Sequence, residues 1–161
     1  LVAGATGTTG KKIVNLLRNS DDYQPIAMIR NVGQKAQFAD LGVETRVGDL
    51  EENIDHIADN VHKVIFAAGS GGKKLHVVDQ EGAKKMVDAG KRANISKFVM
   101  LSSMGADNPE NASELKDYLQ AKRNADEYLR ASLLPYSIVR PGALTNDAGT
   151  GKINAASSLG N

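Results

Sequence analysis

Short apolar runs alternate along the whole chain with stretches whose apolar residues recur every three or four positions. The runs are Leu1–Ala3, Pro25–Arg30, Val43–Val47, Val64–Ala67, Lys97–Ser102 and Tyr136–Arg140. They are rich in Val, Ile, Phe and Met and bounded by Gly, Pro, Asn, Asp or Ser, which predicts six strands. The segments between them predict helices. One follows Gly10, with Ile13, Leu16 and Leu17 inward and Lys11, Lys12, Asn15 and Arg18 outward. Others are expected near Gly33–Asp40 and Glu51–Asp59, over Val77–Ala93 with Ala83, Met86, Val87 and Gly90 inward, and over Ser113–Ser132.

Strict alternation of strand and helix requires crossover connections, hence a parallel sheet covered on both faces. The runs I-A-M-I, V-I-F-A-A and F-V-M-L are apolar without a break, as doubly buried strands are. The expectation is one α/β domain, a doubly wound Rossmann fold in three αβα layers with strand order 3-2-1-4-5-6. Residues 1–161 read as that single domain, incomplete at both ends, because Leu1 already sits inside an apolar run. After Gly142 the chain turns to Gly, Asn, Ser, Thr and Ala without periodicity, so 143–161 reads as the start of a flexible segment on the substrate side.

Charge narrows the classes. Lys and Arg total 20 against 19 Asp and Glu, a net charge of +1, so there is no basic excess for nucleic acid. No stretch approaches the roughly 20 apolar residues of a membrane span. With no cysteine there is neither a disulfide frame nor a thiolate metal site, and the expectation is a cytoplasmic protein. His56, His62 and His76 fall at no metal-ligand spacing, so no metal is expected.

The first predicted turn reads G-A-T-G-T-T-G, with Gly4, Gly7 and Gly10 three apart. Gly4 suits a tight turn out of the strand, Gly7 a close approach of backbone to a pyrophosphate, and Gly10 a helix packed near the sheet. Helix-terminal N–H groups and the hydroxyls of Thr6, Thr8 and Thr9 would face the anion. A glycine triplet between a strand and an amphipathic helix, at the head of a βαβ unit, is the dinucleotide fingerprint. That fingerprint places an acidic residue about 20 positions on when the ligand is NAD. Here that position is Arg30, and no Asp or Glu lies between Gln24 and Phe38. A guanidinium can hold the 2′-phosphate of NADP, so NADP is expected over NAD, the alternative being a solvated arginine at a strand end. Asp49 is placed either to accept from the adenine amino group, with Leu50 against the ring, or to cap a helix. Ala67-Ala68-Gly69 leaves room for backbone beside the cofactor.

Tyr118-Leu119-Gln120-Ala121-Lys122 puts a tyrosine and a lysine on one helix face. An ammonium beside a phenol lowers its pKa from about 10 and would make Tyr118 a usable acid/base. Ser102 and Ser103 end the fifth strand and can donate to a substrate oxygen. The plainer alternative is an amphipathic helix whose Tyr118 packs on the sheet and whose Lys122 is solvated.

Together these segments, with Arg30-Asn31, Gly48-Asp49-Leu50 and Tyr136-Ser137-Ile138-Val139-Arg140-Pro141-Gly142, resemble the atypical short-chain dehydrogenases/reductases, near their NmrA-like and NAD-dependent epimerase/dehydratase members. The resemblance covers essentially the whole chain. It implies that Ser103 is the catalytic serine, Tyr118 the acid/base and Lys122 a ligand of the nicotinamide ribose, with Pro141 and Gly142 against the nicotinamide. Where related extended enzymes carry Asn in an N-x-x-G segment, this chain has Asp79-Gln80-Glu81-Gly82. A carboxylate accepts where an amide accepts but does not donate unless protonated.

The leading expectation is an NADP-dependent oxidoreductase or epimerase acting at a carbonyl or hydroxyl carbon of a small molecule. The alternatives are an NADP(H) sensor working through a protein partner, and a flavin- or quinone-type reductase on the same fold.

Overall fold

The computed structural model describes residues 1–156. Six strands, β1 (Val2–Ala3), β2 (Ile26–Ile29), β3 (Glu44–Val47), β4 (Lys63–Phe66), β5 (Lys97–Leu101) and β6 (Tyr136–Val139), form one sheet in the order β3-β2-β1-β4-β5-β6. Every pairing is parallel. The chain therefore starts at the centre, winds outward to β3, crosses back over β1 and winds outward to β6. The crevice at this reversal, above the ends of β1 and β4, is where ligands bind in open parallel sheets.

The period of two along each strand divides the core. Val2, Ala27 and Ile29 face α1 (Thr8–Arg18) and α2 (Ala36–Ala39), packing with Val14, Phe38 and Val43. Ala3, Met28, Val64, Phe66, Phe98 and Met100 face the other way, against Met86 and Val87 of α3 (Ala83–Arg92) and Ala125 and Leu129 of α4 (Lys116–Ala131). Coverage is uneven. On the α1 side of β4 to β6, Ile65, Val99 and Leu101 are only half-buried and Val139 is exposed.

Four local expectations are corrected. No helix forms over Glu51–Asp59. Asp49 Oδ1 accepts from the Glu51 N–H at 3.0 Å and Asn53 Oδ1 from the Asp55 N–H at 2.8 Å. These two side chains satisfy the backbone locally and displace the helix, while Ile54, Ile57 and Ala58 still reach the core. Gly33–Asp40 is a 3-10 turn (Val32–Gln34) followed by the single turn of α2. In α1 the inner stripe is Gly10, Ile13, Val14 and Leu17, and Leu16 is 74 % exposed. The helix ahead of α3 begins at Leu75 and is a π-helix as far as Gly82; its wider turn buries Val78, Asp79 and Gln80.

Candidate functional site

The turn between β1 and α1 is shaped by close packing. Gly4 has φ +80°, and a Cβ there would lie 2.6 Å from the backbone of Ala68 at the end of β4. A Cβ at Gly10 would collide with the Gly4 carbonyl. Two glycines thus let β1, β4 and α1 converge on one point. The Gly7 N–H donates to the Gly4 carbonyl at 3.0 Å, and Gly7 caps α1 without a side-chain bond. The N–H groups at the start of α1 lack carbonyl partners within the helix, and its first turn carries no acidic residue, which is what a bound phosphate requires.

Two clefts meet above this point and share Gly7, Ala67, Ala68 and Gly69. The smaller, about 170 Å³, is bounded by Gly4 and Thr6 on one side, Met28, Arg30, Gly48 and Leu50 on another, and Val78. The larger, about 700 Å³, runs from Thr8 and Thr9 past Asp79, Ser103, Tyr118 and Lys122 to Pro141 and Gly142. A two-part ligand with its charged middle at the α1 N-terminus fits this layout.

Among the comparisons with known proteins, the model of the NAD(P)H-binding family matches residues 4–160. The chain belongs to this family. It is 42 % identical to the uncharacterized sugar epimerase YhfK of Bacillus subtilis, over 97 % of this chain and 77 % of that protein. A Bacillus halodurans structure grouped with the NAD-dependent epimerases/dehydratases superposes with a TM-score of 0.88 at 37 % identity, covering 94 % of this chain and 73 % of that one. The oxidoreductase ylbE of Lactococcus lactis gives 0.84 at 34 % identity, over 93 % and 71 % of the two chains. More distant structures, among them an Escherichia coli quinone oxidoreductase with NADPH at 20 % identity and a TM-score of 0.72, share the fold. The chain is therefore an NAD(P)-binding member of an oxidoreductase and epimerase family.

In this NAD(P)H-binding domain the residues of the small cleft divide by role. Arg30 reaches over it with a side chain 60 % exposed, its Nε 3.8 Å from Asp49 Oδ2. Leu50 lines it; Asp49 turns back to the Glu51 N–H and lines neither cleft. Asn31 also lines neither. Its side chain accepts from the Gln34 backbone, while Gln34 Oε1 accepts from the Arg30 N–H at 2.7 Å. Gly10 lies beneath the cleft and shapes it through packing alone.

The large cleft gathers Ser103, Tyr118, Lys122 and Asp79 from three segments. Lys122 and Asp79 are buried together, Nζ to Oδ1 3.5 Å, and Asp79 Oδ2 accepts from the Ser70 N–H at 3.0 Å. The Lys122 ammonium lies 5.6 Å from the Tyr118 ring centre. The phenol nonetheless moves opposite to expectation. Burial raises its pKa, the neighbouring Ser103 hydroxyl lowers it, and the Asp79 carboxylate raises it again. The lysine charge that was to stabilise a phenolate is matched by Asp79.

Ser102 and Ser103 have different surroundings. Ser103 donates to the Met104 carbonyl at 3.2 Å and borders the cleft. Ser102 also touches the cleft but is buried, and it donates to Asp126 Oδ2 at 2.9 Å. Arg140 reaches the same oxygen with Nε at 3.0 Å and Nη2 at 2.9 Å. Sequence reasoning missed this cluster, since Asp126 sits in a charged helical stretch, K-R-N-A-D-E, that reads as solvated surface. The one available signal was its spacing of four from Lys122. Among the described residues no three potential ligands gather for a metal, and no helix is long and apolar enough to cross a membrane.

Proposed function

We propose that this domain serves an NADPH-dependent reductase acting on the carbonyl group of an uncharged, largely apolar compound. The observation that carries the reading is the placement of Tyr118 with Ser103 on the wall of the large cleft. A phenol is protonated at neutral pH and can give its proton to a substrate oxygen that becomes as basic as an alkoxide once hydride has arrived. Bound NADPH supplies the hydride to the carbonyl carbon. Tyr118 delivers the proton to the oxygen, and the Ser103 hydroxyl donates to that oxygen as charge builds. Epimerisation through an oxidised intermediate needs the same tyrosine as a base first, which burial and Asp79 disfavour.

The apolar character of the substrate is supported by Leu101, Met104, Leu115 and Leu144 along the cleft. Its charged members among the described residues, Asp79 and Lys122, are paired with each other. Arg30, exposed at the small cleft and joined to Asp49 only by a long 3.8 Å ion pair, supports NADP over NAD through its 2′-phosphate. The test is NADPH oxidation against a panel of uncharged ketones, aldehydes and quinones alongside nucleotide sugars. Reduction of uncharged carbonyls that is lost in Tyr118→Phe supports the reading. Turnover of quinones or flavins that survives Tyr118→Phe indicates reduction without a protein acid. Tight NADPH binding with no turnover indicates a sensor.

A further inference from the structure

Tyr118, Lys122 and Asp126 are spaced four apart, so they form one stripe along α4. The first two border the large cleft, and the third is completely buried beneath it. Its Oδ2 accepts one hydrogen bond from Ser102 after β5 and one from Arg140 Nε after β6, and also lies 2.9 Å from Arg140 Nη2 in the same ion pair. Arg140 also reaches Asp107 in the loop that follows Ser103, Nη1 to Oδ1 3.7 Å. Backbone bonds close the same knot: the Ser102 N–H donates to the Val139 carbonyl at 2.8 Å and the Met104 N–H to the Pro141 carbonyl at 2.9 Å. The residues on either side of these anchors are Ser103, Pro141 and Gly142, all bordering the cleft.

A buried carboxylate with one oxygen triply engaged and the other, Oδ1, without a partner is an expensive way to join a helix to a sheet. An apolar residue would fill the same space at less cost but would not fix direction. The planar guanidinium fixes both distance and angle. We propose that Asp126 is a positioning residue. Held by Arg140 and Ser102, it sets α4 against the ends of β5 and β6, so that the Tyr118 hydroxyl meets Ser103 at the cleft wall. This inference rests on the reductase reading for its catalytic consequence, although the placement of Tyr118 can be read without turnover.

The test compares Arg140→Lys, which keeps the charge and loses the fork, with Ser102→Ala and Asp126→Asn. Folding is followed by circular dichroism. The Tyr118 phenol is titrated by NMR in protein with isotope-labelled tyrosine, with Asp79, Lys122 and Ser103 left intact around it. The expected result for Arg140→Lys is a displaced phenol titration and a kcat lower by about tenfold to a hundredfold, with the NADPH Kd within about threefold of wild type. A folded Arg140→Lys variant whose phenol titrates where the wild type's does overturns the proposal. So does a loss confined to thermal stability. If Asp126→Asn does not fold, Ser102→Ala, which leaves the ion pair in place, carries the same comparison with a smaller displacement. If the wild type reduces no carbonyl compound, the reductase reading fails and the phenol titration alone decides the role of Asp126.

Discussion

The two clefts are built from different materials. The small one rests on backbone, namely a glycine at positive φ, a helix end and the small residues after β4, with Met28, Arg30, Leu50 and Val78 around it. The large one shares part of that backbone and adds Ser103, Tyr118, Lys122 and Asp79, whose two charges are paired. The backbone part tolerates little change in shape. The side-chain part turns on the balance of its surroundings, since Lys122 is close to Tyr118 and yet burial, with Asp79 paired to the lysine, raises the phenol.

The two clefts differ most at Tyr118. Tyr118→Phe should lower kcat for carbonyl reduction by about a hundredfold to ten-thousandfold while leaving the NADPH Kd nearly unchanged, as initial rates and calorimetric titration would show. At the other cleft, Gly4→Ala should cost about 3 kcal/mol in urea unfolding and abolish cofactor binding, because a Cβ at φ +80° meets the Ala68 backbone at 2.6 Å. A smaller effect is expected at Arg30. Arg30→Ala should weaken NADPH about tenfold and NADH hardly at all, measured by fluorescence titration of both cofactors.

The pH profile sharpens the electrostatic side. Because the Tyr118 pKa is raised in the folded protein, the phenol's contribution to stability is complete below its unfolded value of about 10 and is lost as pH rises through the folded value. Reduction should therefore hold through neutral pH and decline only in the strongly alkaline range. Asp79→Asn removes one cause of the raised value, so the decline should begin at lower pH, seen in kcat against pH. The least effect is expected on the outer face of α1, where Leu16→Gln should alter stability by no more than about 0.5 kcal/mol in thermal melts.

The sheet order was legible because unbroken apolar runs and glycine-rich turns are local signals. So was the cradle, where Gly4 and Gly10 mark the two tightest approaches. What escaped was decided by partners far along the chain or by competition within a few residues. Glu51–Asp59 has helical spacing, but Asp49 and Asn53 offer the backbone better acceptors. Tyr118 and Lys122 do lie side by side, while the direction in which the phenol moves depended on its burial and, to a smaller extent, on Asp79 from a distant segment. Arg140 was visible only as part of a motif, because nothing local shows that a guanidinium fourteen residues after Asp126 will bond to it.

The π-helix from Leu75 to Gly82 makes the length of that segment part of its meaning. Each residue of an α-helix turns the chain by about 100°. The stretch must aim Asp79 at Lys122 and, within the next turns, aim Ala83, Met86 and Val87 at the sheet. The wide turn reconciles the two directions. Deleting one residue there would tighten it into an ordinary helix and swing Asp79 away while the core stripe stayed in place. A chain shortened by a single position, with its core composition intact, would then have a lysine beside the tyrosine with no carboxylate to answer it.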